Sequence, residues 1–455
     1  MDPTPVSEIA KMSGCELVRE SPPTLISRIC TDTRKLLAGD CYVALRGEHF
    51  DGNAFAADAI ARGAGAVLLD DRAMAQNLPE GCAVLLAEDG LSALTRMAAE
   101  WRARLSLTVL CITGSNGKTS TKEFTAAVLQ TKFRISKTEG NLNNHIGLPL
   151  TILATSSRET FAVWEIGMNH GGEIAPLAAL AHPHAGIITN IGIAHIEHLL
   201  TREAIAWEKG FLAAAIPAAG CLFLSADDDK SAGIALRCAG RVIMVGLPGG
   251  VLSAEALTET EEGCGFTVCH GNAKIRATIP ANGSHMVRNA LLALAAGLEF
   301  GVSLKDGIAG LAKARLADGR LQRRELRGVV FLDDTYNANP DSMEAALATL
   351  KAIPGIGRRI AVLGRMGELG DYEAEGYRRT GVAAANMADV LVTVGAEANQ
   401  IAAAARAAGL NRIHEVDDTA SAARMLRSLA RMGDIVLVKG SRSARMETVL
   451  THFNT

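Results

Sequence analysis

Short apolar runs, each closed by a polar turn and followed by an alanine-rich helical stretch, recur along most of this chain. From Leu105 onward the runs are 106–113 (SLTVLCIT), 160–168 (TFAVWEIGM), 185–192 (AGIITNIG), 220–227 (GCLFLSAD) and 241–246 (RVIMVG). Helices fit between them, which predicts a parallel sheet with helices on both faces. Around 250–282 the rhythm changes to short strands and turns, and 285–301 reads as a helix. A second alternation begins near Gly319, with buried strands expected at 328–336, 358–366, 388–395 and 433–441. Before Leu105 the pattern is looser. Strand-like pieces at 41–47 and 65–70 flank a helix at 54–64 that ends at glycine, and 91–105 is an amphipathic helix leading into the second block. The fold class is therefore α/β in three blocks, 1–104, 105–318 and 319–455, with hinges expected near 101–106 and 317–321.

Composition narrows the function classes. A chain of 455 residues is too long for one core and implies two to four domains. The net charge of -3 leaves no basic excess for nucleic acid, and an aromatic content of 4% leaves little for stacking on single strands. The nine cysteines form no Cys-x-x-Cys pair, so neither a zinc site nor a disulfide framework is expected. No apolar run reaches the roughly 18 residues of a membrane span, and the first residues lack a signal-peptide pattern. The expectation is a cytoplasmic protein, a monomer, with small-molecule partners, no nucleic acid and no membrane span.

The chemistry starts at 111–124 (CITGSNGKTSTKEF). A strand runs into a glycine-rich turn, then Lys118, Thr119 and a helix expected from about 118 to 130. The phosphate-loop pattern G-x-x-x-x-G-K-[ST] would need glycine at 112, where Ile112 stands. Gly114 and Gly117 still let backbone N–H groups reach phosphate oxygens. Lys118 can contact the β- and γ-phosphates, Thr119 can bind Mg²⁺, and the helix aims its N-terminus at the anion. In open α/β sheets ligands gather beyond the carboxyl ends of the strands. Glu165 ends one strand, where a carboxylate needs a cation or a donor. His195 follows another; as a lone histidine it reads as structural, with metal ligation or base chemistry as the alternative. Lys209 lies in a helix at 201–215 whose apolar positions are read as Ala206, Phe211, Ala214 and Ala215, which leaves Lys209 solvated.

Several segments together resemble the Mur ligase family. They are 31–52 (TDTRKLLAGDCYVALRGEHFDG), 113–123 (TGSNGKTSTKE), 139–151 (EGNLNNHIGLPLT), 165–174 (EIGMNHGGEI), 189–199 (TNIGIAHIEHL), 333–343 (DDTYNANPDSM) and 437–447 (LVKGSRSARME). Within the family the motifs are most similar to those of members that add D-alanyl-D-alanine to UDP-N-acetylmuramoyl-tripeptide. The resemblance covers nearly the whole chain. It implies an N-terminal UDP-sugar-binding domain, a central P-loop ATPase domain with a parallel sheet, and a C-terminal Rossmann-like domain. It also implies a reaction in which ATP phosphorylates the tripeptide carboxylate and the dipeptide amine displaces phosphate from the acyl phosphate.

The resemblance assigns residues as well. Lys118, Glu165, His195 and Lys209 would be the catalytic set. Thr119 and Glu165 would hold one Mg²⁺, and His195 and a carbamylated Lys209 a second. Thr113, Gly114, Ser115, Asn116, Gly117, Lys118 and Thr119 would cradle ATP. Asn289 would lie near the adenine, Arg320 near the γ-phosphate, and Asp334, Tyr336 and Asn337 would close over the nucleotide. Thr33, Arg34, Arg46 and Gly47 would lie near the uridine and diphosphate. Asn143 and Asn144 would offer donors to the sugar or peptide, and Lys439 and Arg442 would meet anionic groups. For those last two a surface role is the alternative, and Asp341 reads as a cap of the helix near Ser342. Two departures stand out: Arg365 in 364–370 (GRMGELG) replaces a usual acid, and the WEKGFL segment around Lys209 differs from related ligases. A sister ligase adding diaminopimelate would carry a DNPR motif, which is absent. A folate polyglutamate ligase would lack the N-terminal sugar-binding block. A nucleotide-binding regulator without catalysis is the reading from a different class.

Overall fold

A computed structural model describes residues 1–20 and 24–455. Its contacts divide the chain into two compact units. The first comprises 1–111, 133–168 and 173–184; the second comprises 112–132, 169–172 and 185–455.

In the first unit, a five-stranded sheet runs in the order Glu16–Arg19, Ala83–Leu86, Ala66–Leu69, Cys41–Val43, Ile29–Cys30. The first pair is antiparallel and the rest are parallel. Tyr42, Val67, Leu69, Val84 and Leu86 share one buried cluster with Ala56 and Ala59 of the helix Ala56–Ala61. Alternate strand residues point to one face, which is why these positions pack together. The helix Gly90–Arg104 starts at Asp89, whose side chain accepts from the Ser92 N–H. It packs against the helices Val6–Ser13 and Gly147–Ala154. Its last turn is tied down: Trp101 Nε1 donates to Thr155 O at 2.9 Å, and Arg102 donates to the carbonyls of Leu105, Ala181 and His182. These hydrogen bonds lie within the stretch 101–106 where a hinge is expected. The strands Ile135–Lys137 and Phe161–Glu165 pair in parallel in this unit.

In the second unit, the strands Ala185–Ile188, Cys221–Ser225 and Arg241–Val245 are parallel neighbours. The region of changed rhythm forms an antiparallel sheet of Ser253–Thr260, Gly263–His270 and Ala273–Ile279. The phosphate-loop helix, Lys118–Leu129, packs against Ser284–Glu299 and Leu304–Leu311. Gly310 permits this, since a Cβ there would come 2.5 Å from Ala127 O.

The C-terminal sheet has six strands in the order Gln322–Leu326, Val329–Asp334, Ile435–Lys439, Arg359–Gly364, Val390–Val394, Ile413–Val416. The four expected strands form its centre. The two edges were not foreseen: Gln322–Leu326 pairs antiparallel and Ile413–Val416 parallel. Each edge carries charged or polar residues, QRREL and IHEV, so neither shows the apolar run of a buried strand. Among the described residues, no helix is long and apolar enough to cross a membrane.

Candidate active site

The second unit contains the phosphate loop. Gly114 and Gly117 both have positive φ, 147° and 79°. Gly117 begins the helix Lys118–Leu129, and a Cβ there would lie 2.8 Å from Asn289 Nδ2. The loop is held from the strand Ala185–Ile188 and the residues after it. Thr189 N–H donates to Thr113 O, Ser115 N–H to Asn190 O, and Asn116 N–H to Asn190 Oδ1. Thr189 Oγ1 and Asn190 Nδ2 both donate to Asn116 O, at 2.6 and 3.0 Å. Lys118 folds back over the loop, with Nζ donating to Gly114 O at 2.8 Å.

The 319–455 segment reaches the same loop. Arg320 donates to Thr119 Oγ1 at 3.1 Å, and its guanidinium lies 4.0 Å above the Tyr336 ring. Arg320 Nε is buried without a hydrogen-bond partner. Asn339 and Asn116 exchange amide hydrogen bonds at 2.8 and 3.4 Å. Asp334 accepts from Leu321 N–H and pairs with Lys439 Nζ at 2.6 Å, and Lys439 also donates to Asn337 O. Lys439 is thus buried and holds the 334–337 turn; it is not the surface lysine considered from the sequence. Arg442 is exposed and pairs with Glu447 at 3.3 Å. Asp341 does not cap its helix. Asn339 is the N-cap of Pro340–Ala352, while Asp341 accepts from Ile193 N–H at 2.9 Å and from Arg379.

Lys209 overturns the solvated reading. The buried face of the helix Arg202–Ala214 is Ile205, Glu208, Lys209, Gly210, Leu212 and Ala213, not the set taken from the sequence. Lys209 Nζ is buried with no hydrogen-bond partner. Burial pushes its pKa well below the ordinary lysine value, and the Lys118 charge adds to this while Glu208 opposes it. Glu208 itself accepts from Gly172 N–H at 2.9 Å. Burial also lowers the His195 pKa; contact with Glu368 opposes that shift, and the Lys118 and Lys209 charges add to it. These couplings bring Lys118, His195 and Lys209 into one electrostatic neighbourhood.

The remaining predicted residues belong to the first unit. Glu165 is buried; its N–H donates to Thr138 Oγ1 and its Oε1 accepts from Asn143 Nδ2 at 2.7 Å. Asn144 accepts from the Ile146 and Gly147 N–H groups and shapes the start of Gly147–Ala154. Thr33 is buried in a short turn, and Arg34 folds onto Asp32 at 2.8 Å. Arg46 is engaged by Asp70 and Asp51, at 2.8 and 2.9 Å, and Gly47 lies in the hairpin of Arg46–Gly47 with Phe50–Asp51. Sequence reasoning missed Thr189, Asn190, Asn339 and Glu368. Thr189 and Asn190 follow a strand end and could have been found by that rule; Asn339 and Glu368 carry no local signal.

Among the described residues, no cluster of three or more His, Cys, Asp and Glu is arranged to hold a metal. The chemistry nonetheless fits Mg²⁺ on a nucleotide. Within the second unit Thr119 offers a hard oxygen donor beside the phosphate loop, Arg320 Nε is a buried donor left for a phosphate oxygen, and Lys209 Nζ is a buried nitrogen without a partner.

Sequence profiles of Mur ligases match three stretches: the family's catalytic domain at 25–101, the middle domain at 112–297, and the glutamate ligase domain at 319–442. The UDP-N-acetylmuramoyl-tripeptide--D-alanyl-D-alanine ligase of Bacillus subtilis (strain 168) is 36% identical over 449 residues, 98% of this chain and 97% of that one. The chain belongs to the Mur ligase family. Two solved structures extend the comparison. MurF from Acinetobacter baumannii matches with a TM-score of 0.89 and 31% identity, covering 100% of this chain and 99% of that one. MurF ligase from Thermotoga maritima in complex with ADP matches at 0.82 and 28%, covering 94% and 97%. This Mur ligase is thus an ATP-dependent, carbon–nitrogen bond-forming α/β enzyme with the family's three domains.

Proposed function

We propose that the chain joins D-alanyl-D-alanine to UDP-N-acetylmuramoyl-tripeptide, with ATP converted to ADP and phosphate. The observation that carries the nucleotide half is the meeting of Thr119, Arg320 and Tyr336 on the phosphate loop. The choice of substrates follows the full-length likeness to ligases bearing that name. The proposed domains are 1–104 for the UDP-sugar, 105–318 for ATP and 319–455 for closing the site, and the three matched stretches support them.

The reaction has two displacements. The tripeptide carboxylate oxygen attacks the γ-phosphorus and ADP leaves, giving an acyl phosphate. The dipeptide amine attacks its carbonyl carbon, and the tetrahedral centre collapses to the amide, releasing phosphate and a proton. Two anions must approach, so positive charge has to be in place beforehand. Lys118 and Arg320 supply it from the chain. Arg320 is pre-set by stacking on Tyr336, which limits the freedom lost when it engages a phosphate. Mg²⁺, for which Thr119, His195 and Lys209 of the second unit would supply ligands, would neutralise phosphate charge and orient the γ-phosphate. A buried ammonium at Lys209 would have no hydrogen-bond acceptor. Addition of carbon dioxide to the neutral amine, with loss of a proton, would give a carbamate and so an anionic oxygen ligand.

The test is phosphate release from ATP and Mg²⁺ with UDP-N-acetylmuramoyl-tripeptide, with the dipeptide present or absent. Release that needs the dipeptide and a pentapeptide product by mass are expected. Lys118→Ala and Lys209→Ala should each lower release by at least about a hundredfold. Release with single amino acids but not the dipeptide would move the chain to a sister ligase.

A further inference from the structure

Two non-glycine residues with left-handed backbones meet where the turn 364–370 lies on the short helix Ile196–Leu199. They are His195, with φ 62°, and Glu368, with φ 60°. Side chains resist this conformation, and such strain persists only where the surroundings enforce it. Glu368 Oε2 lies 2.6 Å from His195 Nδ1. Glu197 N–H donates to Glu368 O at 3.2 Å, so the backbone is docked as well. Gly370 lets the turn sit flush: a Cβ there would lie 3.1 Å from Glu197 Cα. The His195 contact holds the Glu368 carboxyl below its usual range, and the nearby His198 and His170 assist. The carboxylate is close to the ring nitrogen but outside its hydrogen-bonding direction. Such contacts often align only when ligand is bound.

We propose that Glu368 is a positioning residue for His195: it holds Nδ1 and so presents Nε2 to a cation on the nucleotide phosphates. This rests on the reading of His195 as a ligand in the ATP site. A ligating histidine that donates its second nitrogen to a carboxylate has its tautomer and ring direction fixed by that partner. Here the partner arrives from the turn after Arg359–Gly364, about 170 residues away in sequence. The histidine is therefore aimed only while that turn is docked on the 196–199 helix. The same turn carries Arg365, whose guanidinium pairs with Glu397 at 3.4 Å, so the family's usual acid is not the group that meets His195.

The experiment uses the full chain with ADP and Mn²⁺ as a paramagnetic probe, for wild type, Glu368→Ala, Glu368→Gln and Glu368→Asp. Mn²⁺ affinity is read by electron paramagnetic resonance, and the His195 ring by nitrogen NMR assigned with His195→Asn. Affinity should fall about tenfold or more in Glu368→Ala and Glu368→Gln and less in Glu368→Asp. The His195 nitrogen signals should move in Glu368→Gln, which keeps side-chain size. Unchanged Mn²⁺ affinity and unchanged signals in a folded Glu368→Gln would overturn the proposal. So would an equal loss in Glu368→Asp, or wild type binding no Mn²⁺ with ADP. Neither readout needs turnover, so a failure of the proposed ligation would be seen separately, as wild type that forms no pentapeptide.

Discussion

His285 illustrates how one side chain can couple this fold to pH. It lies near Asp334, Arg288 and Lys439, and burial lowers its pKa to about 4, with Asp334 opposing. The unfolded chain would protonate it near its ordinary value of 6.5. Between pH 6.5 and about 4 the unfolded state therefore binds more protons, and stability falls as pH falls. The contribution is complete above that window and is lost on passing down through it. His285→Gln should flatten this acid limb by on the order of 1–2 kcal/mol, measured by urea unfolding at pH 7 and pH 4.5. Lys209 shows the opposite side of residue-scale reading. Its spacing among apolar neighbours did not reveal its burial, because the helix rotates Ile205 and Leu212 inward, not Phe211. Only the resemblance to a family placed that lysine in the site.

At the scale of elements, the helix Pro340–Ala352 has two tasks at one end. Asn339 accepts from Ser342 N–H, and Ser342 Oγ reciprocates to the Asn339 N–H. The same Asn339 amide pairs with Asn116 in the phosphate loop. Asn339→Ala should cost about 1 kcal/mol for the lost cap. It should also weaken ATP binding severalfold, read by calorimetry. Asp341→Ala leaves the cap in place and serves as the comparison. Central strands and the phosphate-loop helix were legible in the sequence, because an apolar run or a glycine-lysine turn is local information. The edges Gln322–Leu326 and Ile413–Val416 were not, since their solvated positions carry the residues of loops. Asn339 and Glu368 were equally hidden, because each acquires its partner only when distant segments fold together.

At the scale of the molecule, three loops from the 319–455 segment converge on the residues that surround ATP chemistry in the proposed reaction. Arg320 meets Thr119, Asn339 meets Asn116, and Glu368 meets His195. Release of that segment would therefore disassemble the site as a whole, and docking would restore it. The end of the helix Gly90–Arg104 behaves differently. The Arg102 guanidinium is buried, bonded to three carbonyls, and no carboxylate pairs with it among the described contacts. It works as a rivet between a helix of the first block and the 181–182 chain of the second. A gene cut after Arg104 would strand that cation and Trp101 in water without their acceptors. The 1–104 fragment, made alone, should be rapidly digested by trypsin, while Arg102 in the intact chain should resist cleavage. The two ends of the ATP-binding block are thus held by different means, one by a buried arginine on main-chain carbonyls and the other by Tyr336 N–H on Gly319 O and Leu321 N–H on Asp334.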